Sequence, residues 1–80
     1  MAKRRVMLTF TPETSSEPII YNISQQFNVI TNIRRADATK DRGWIEVELD
    51  GKEKDIEEGI TWAISRGIRV DPIGDDRAEI

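Results

Sequence analysis

Asn32, Arg34 and Arg35 interrupt a stretch that otherwise alternates like two strands joined by a turn, VITNIRRADATKDRGWIEVELDG at residues 29–51. The asparagine offers one acceptor and two donors. The arginines carry guanidinium forks that match a carboxylate or phosphate. Glu46 and Glu48 follow on the next strand-like run and are natural cross-strand partners for those arginines, worth less than about 1 kcal/mol each at an exposed site. For the arginines the structural pairing is favoured over a ligand. For Asn32 taken alone, a solvated edge residue that discourages aggregation outweighs a ligand contact. Trp44 is an aromatic of the kind that anchors interfaces or offers a stacking surface. Trp62 falls off the apolar stripe of its helix and reads as packing at the core's edge.

Catalytic chemistry has few carriers here. Histidine and cysteine are both absent, which removes the usual base near neutral pH, nucleophilic triads, thiolate zinc and iron-sulfur sites, and disulfides. The acidic run EKDIEEG at 53–59 spreads Glu53, Asp55, Glu57 and Glu58 around the outside of a helix. No second ligand set converges on them, so a solvated helix face is the reading. The five glycines stand singly, so there is no phosphate-cradling loop. No enzyme activity and no cofactor are expected.

RGWIEV at residues 42–47 resembles the basic-Gly-aromatic signature of an RNA recognition motif. Glu46 stands where a second stacking aromatic is needed, and Met7 and Thr9 where the first strand should offer one. Two carboxylates there repel phosphates, and twelve basic against fifteen acidic residues give a net charge of -3. Nucleic acid is a remote alternative.

The elements that position these groups are legible from periodicity. RVMLTFT at residues 5–11 puts Val6, Leu8 and Phe10 on one face and Met7, Thr9 and Thr11 on the other. Ser15 and Ser16 are helix N-cap candidates, with Glu17 and Pro18 in the first turn. Ile19, Ile23 and Phe27, flanked by Ile20, form an apolar stripe that ends near Asn28. A turn over residues 40–43 leads to Ile45, Val47 and Leu49, alternating with Trp44, Glu46 and Glu48. Ile56, Ile60, Ala63 and Ile64 mark a second helix, on which Gly59 permits close approach to the sheet. Gly67 is its C-terminal cap. Ile68 and Val70 begin a short strand ended by Pro72, and GDDRAEI reads as a polar tail.

Strand, helix, strand, strand, helix, strand predicts a ferredoxin-like α+β fold: an antiparallel four-stranded sheet in the order 4-1-3-2 with both helices on one face. One sheet face stays open. By strand parity it carries Met7, Thr9, Thr11, Asn32, Arg34, Trp44, Glu46, Glu48, Arg69 and Asp71, while Ile33 points into the core beside Ile45 and Val47. Arg35 and Asp37 break the alternation, which predicts that the strand bulges or peels away after Arg34. Eighty residues make a single domain, 1–80, with its core at about 5–73 between a basic N-terminal and a polar C-terminal tail. So small a core rarely supplies more than about 3–5 kcal/mol unaided, which raises self-association as an expectation. No apolar run of signal-peptide or membrane-span length occurs, so a cytoplasmic protein without membrane insertion is expected.

Phe27-Asn28-Val29, then Asn32-Ile33, Gly43 opening the third strand, Asp50-Gly51, and TWAISRGIRV at 61–70 resemble the NIL domain in order and spacing over residues 6–73. That family is named for an Asn-Ile-Leu motif and is known at the C-terminus of methionine ABC transporter ATPase subunits. The resemblance implies an ACT-related regulatory domain that dimerises and binds methionine near the dimer interface. It assigns the motif asparagine, a ligand contact, to Asn32. Arg34 stands where the motif has leucine, and the hairpin is shorter, which implies a more polar pocket or a missing wall. The expectation is a module acting in trans that binds a small amino-acid-like ligand, methionine or a related sulfur compound, through Asn32, Ile33, Arg34, Met7 and Trp44. The alternative is an accessory subunit that binds a partner protein of sulfur metabolism or transport and no small ligand.

Overall fold

The computed structural model describes residues 2–11, 18–38 and 42–73. Its elements are β1 (Ala2–Phe10), α1 (Ile19–Gln26), β2 (Ile30–Ala38), β3 (Gly43–Gly51), α2 (Glu53–Ser65) and β4 (Arg69–Pro72). The sheet order is β2-β3-β1-β4, with every neighbouring pair antiparallel. This is the expected ferredoxin-like topology. Each helix links two parallel strands that flank a third, which is why both crossovers need a helix's length of chain.

β1 begins earlier than its apolar alternation does. All nine of its residues pair with β3, from Ala2↔Gly51 to Phe10↔Gly43, so the ladder carries Lys3 and Arg4 into the strand. Arg4 then reaches across to the first turns of α2, where its Nη2 lies 3.2 Å from Glu53 and 3.8 Å from Glu57. α1 starts later than expected. Pro18 is its N-cap, and the Pro18 carbonyl accepts the first helical bond from Asn22 at 2.9 Å. The proposed caps Ser15 and Ser16, and Glu17, lie outside the described residues, as do Lys40 and Asp41 of the turn and the tail from residue 74.

The core lies between the sheet and the helices. Val6, Leu8 and Phe10 of β1 and Val47 and Leu49 of β3 meet Ile19 and Ile23 of α1 and Ile56 and Ala63 of α2, all buried. Ile64 was expected in that set and is 55% exposed. At 100° per residue it stands about 80° from Ile56 and falls off the flank of the stripe, whereas Ala63 stands within about 20°. Gly59 does not face the sheet as expected. A Cβ there would lie 3.3 Å from Ile23 Cγ2 and 3.7 Å from the Phe27 ring, so this glycine sets the approach of α2 to α1. Trp62 packs at the rim of the core, its ring tilted against Phe27 with centroids 5.9 Å apart and the Arg66 guanidinium 5.3 Å from its centroid.

Gly67 closes α2 as the sequence predicts. Its φ of 89° is left-handed backbone that disfavours a Cβ. Its N–H donates to the Ile64 carbonyl, and the Ile68 N–H donates to Ala63 at 3.1 Å. Those two bonds form a Schellman motif, and buried Ile68 supplies the accompanying apolar contact. α1 ends in a related way, with Asn28 at φ 58°.

Candidate functional site

The register arranges the open face of the sheet in rows. Ile30, Asp50 and Lys3 form the first, and Asn32, Glu48 and Arg5 the second. Arg35, Glu46, Met7 and Asp71 form the third; Asp37, Trp44, Thr9 and Arg69 form the fourth. Strands stand about 4.8 Å apart and successive rows about 7 Å. Each of the second and third rows sets one arginine beside a β3 glutamate, Arg5 beside Glu48 and Arg35 beside Glu46.

Of the two expected departures the strand takes the bulge, at Arg34 itself, and stays paired to Ala38. Ile33 pairs with Val47 and Arg35 with Glu46, so Arg34 is the extra residue. This corrects the expected face: Arg35, and not Arg34, takes the ladder position beside the carboxylates, because the inserted residue resets the parity of everything after it. Arg34 is exposed. Ile33 also departs from expectation. Its register partner Val47 is fully buried, but Ile33 itself is 56% exposed. β2 is the outermost strand and lies exposed over all its residues except half-buried Thr31, so its inward side chains overhang the helices' cover.

Two Arg–Glu pairs cross the face and differ in closure. Nε and Nη2 of Arg35 both stand 3.0 Å from Glu46 Oε1, and the guanidinium lies 5.8 Å from the Trp44 centroid. Glu46 is 7% exposed, and such a carboxylate is tolerated because it accepts charge-assisted hydrogen bonds. The Arg5–Glu48 pair stays ajar at 3.8 Å, beyond hydrogen-bond reach. Arg5 Nε is buried and has no hydrogen-bond partner among the described residues. Asn32 lies at the end of this row, exposed.

The open face carries Asn32, Met7 and Trp44 but spreads them: at these strand and row spacings Met7 stands about 12 Å and Trp44 about 15 Å from Asn32. It leaves Ile33 on the opposite side and Arg34 in the bulge. Sequence reasoning passed over Arg5, although it opens the stretch read as the first strand and its parity with Met7 and Thr9 places it on the open face. Elsewhere, an open groove of about 540 Å³ runs along the outer side of α2, between Phe27, Lys54, Glu58 and Trp62. Among the described residues no group of acidic side chains is arranged to hold a metal. No helix of the described residues is long and apolar enough to cross a membrane.

The NIL domain family matches residues 4–72. Among solved structures, the C-terminal domain of an ABC transporter ATP-binding protein from Enterococcus faecalis is similar at a TM-score of 0.79 with 25% identity. The alignment covers 91% of this chain and 86% of that one. No curated protein matches the sequence.

Proposed function

Because the chain belongs to the NIL domain family, we propose that it is a non-enzymatic regulatory module which binds a small amino-acid-like ligand on the open face of its sheet. The observation that carries this reading is Asn32, the residue at the family's motif position, displayed outward on an edge strand beside an unclosed ion pair. Its amide hydrogen-bonds the ligand's polar group. Met7 and, beyond it, Trp44 offer apolar contact, and Arg34 sits in the bulge at the edge of that surface. Methionine or a related sulfur amino acid is the ligand proposed. The similarity to a transporter ATPase's C-terminal domain supports a regulatory role, exercised in the cytoplasm on a partner of transport or sulfur metabolism.

The module acts as a homodimer through β2. A nine-residue outer strand leaves a row of backbone donors and acceptors unpaired, and Ile30 and Ile33 on it are 58% and 56% exposed. A two-fold pairing of β2 with its copy satisfies both at once and brings the two Asn32 sites close to the interface.

Calorimetric titration with methionine, cysteine and homocysteine tests the ligand reading. Asn32→Ala removes an exposed side chain, so the fold is retained. A hydrogen bond to a charged group contributes about 1.5–3 kcal/mol, so affinity for the bound amino acid is expected to fall at least tenfold. Absence of heat for all three on the wild-type chain rejects the small ligand and leaves the partner-protein reading, which the exposed β2 edge independently favours.

A further inference from the structure

The two edges of the sheet differ in what they offer another strand. β2 and β4 are the outermost strands. β2 runs for nine residues without a proline, so alternate positions along it turn backbone N–H and C=O groups away from β3. β4 is shorter, Arg69–Pro72. The phase of its ladder is set just beyond it, where the Ile73 N–H donates to the Arg5 carbonyl at 3.0 Å. That bond makes Arg5 and Ile73 a hydrogen-bonded pair. The alternation of an antiparallel ladder then makes Val6↔Pro72 and Leu8↔Val70 non-hydrogen-bonded pairs, in which the main-chain groups of the β4 residue face outward.

Pro72 has no N–H to present at that edge. Two residues before Val70 in the same alternation, the Ile68 N–H already donates to the Ala63 carbonyl at 3.1 Å, as part of the cap of α2. Val70 alone of positions 68, 70 and 72 therefore keeps an outward donor. A proline on an edge strand is one of the means by which a sheet is kept from growing. We infer that β4 is the closed edge of this sheet and Pro72 its stop, so that strand addition by a second copy is confined to β2. This rests on the β2-paired dimer proposed above and deepens it by saying why assembly ends there. Two sheets joined through β2 form one continuous sheet with a β4 at each end. Pairing at those ends would turn a closed dimer into an open chain of dimers. The donor missing at Pro72 blocks both ends at once.

The test compares the full chain with Pro72→Thr, Pro72→Ala and Arg69→Thr by sedimentation velocity over a wide range of concentration, with circular dichroism to confirm the fold. Pro72→Thr restores the N–H at an exposed position on a polar residue that favours strands. It is expected to form species heavier than wild type, with a mass that grows with concentration. Pro72→Ala restores the donor with less strand preference and should grow in the same way but more weakly; it carries the comparison should Pro72→Thr fail to fold. Arg69→Thr places the same new residue where the N–H faces β1 and should keep the wild-type mass. Folded Pro72 variants that keep the wild-type mass overturn the inference, as does equal growth in Arg69→Thr, which would assign the restraint to side chains. The wild-type mass decides the dimer separately: a monomeric wild type removes the β2 pairing, whereas growth on replacing Pro72 still upholds the closed β4 edge.

Discussion

Ile56→Ala is expected to bring the domain to the edge of unfolding. Ile56 is fully buried on α2's inward face and belongs to the core cluster that β1 and β3 also supply. Truncating a buried isoleucine costs about 2–5 kcal/mol, through lost transfer free energy and the cavity left behind. A core of this size supplies about 3–5 kcal/mol. The variant should therefore show a large drop in its urea midpoint and a substantial unfolded population in plain buffer. Ile64→Ala, one residue type and two helical turns away, is the control. Its side chain is more than half exposed, so its midpoint should move by no more than about 0.5 kcal/mol equivalent. Equal losses in the two variants would contradict the placement of the core.

Ile33→Lys is expected to convert the proposed β2-paired dimer to monomer. The side chain points to the helix side of the sheet, where β2 overhangs α1, and is more than half exposed in the single chain. At a two-fold axis each substitution acts twice, since the same patch serves both copies. Two lysines on neighbouring outer strands meet as like charges, one of the devices by which natural edge strands avoid pairing. Sedimentation velocity at tens of micromolar should give a single species of about 18 kDa for wild type, twice the 9.2 kDa chain, and of chain mass for the variant. Circular dichroism should be unchanged, because no buried contact is lost. A wild-type chain that sediments as monomer would remove the β2 interface, and an undiminished dimer in the variant would move it elsewhere.

Most of the fold was legible because each element's period agrees with its place. Val6, Leu8 and Phe10 alternate cleanly, Ile19 and Ile23 recur at helical spacing, and Gly67 sits where a left-handed cap is required. The errors share a physical cause. Ile33, Ile64 and Gly59 were assigned by face alone, and a face does not reveal how far a neighbouring element extends over it. Ile33 has the parity of a core residue and no helix above it, whereas Gly59 faces the partner helix and not the sheet. The bulge was visible as a broken alternation, but which arginine would recover the register depended on pairing with β3. Asn32 was found through its motif and its unusual type on a strand. Lys3 and Arg4 were read as tail and are carried into β1 by nine residues of ladder. The gap between Arg5 and Glu48, unlike the closure of Arg35 on Glu46, is a matter of side-chain geometry that spacing does not encode.

The central claim is that the second row of the open face is where ligand sits. Amide chemical-shift mapping of the full chain during titration with L-methionine tests it most directly. The largest shifts are expected at Asn32, Glu48 and Arg5, with smaller ones at Met7, and little change along α2. Shifts confined to the Phe27–Trp62 groove on the outer side of α2, or a spectrum that does not change at saturating amino acid, would contradict it.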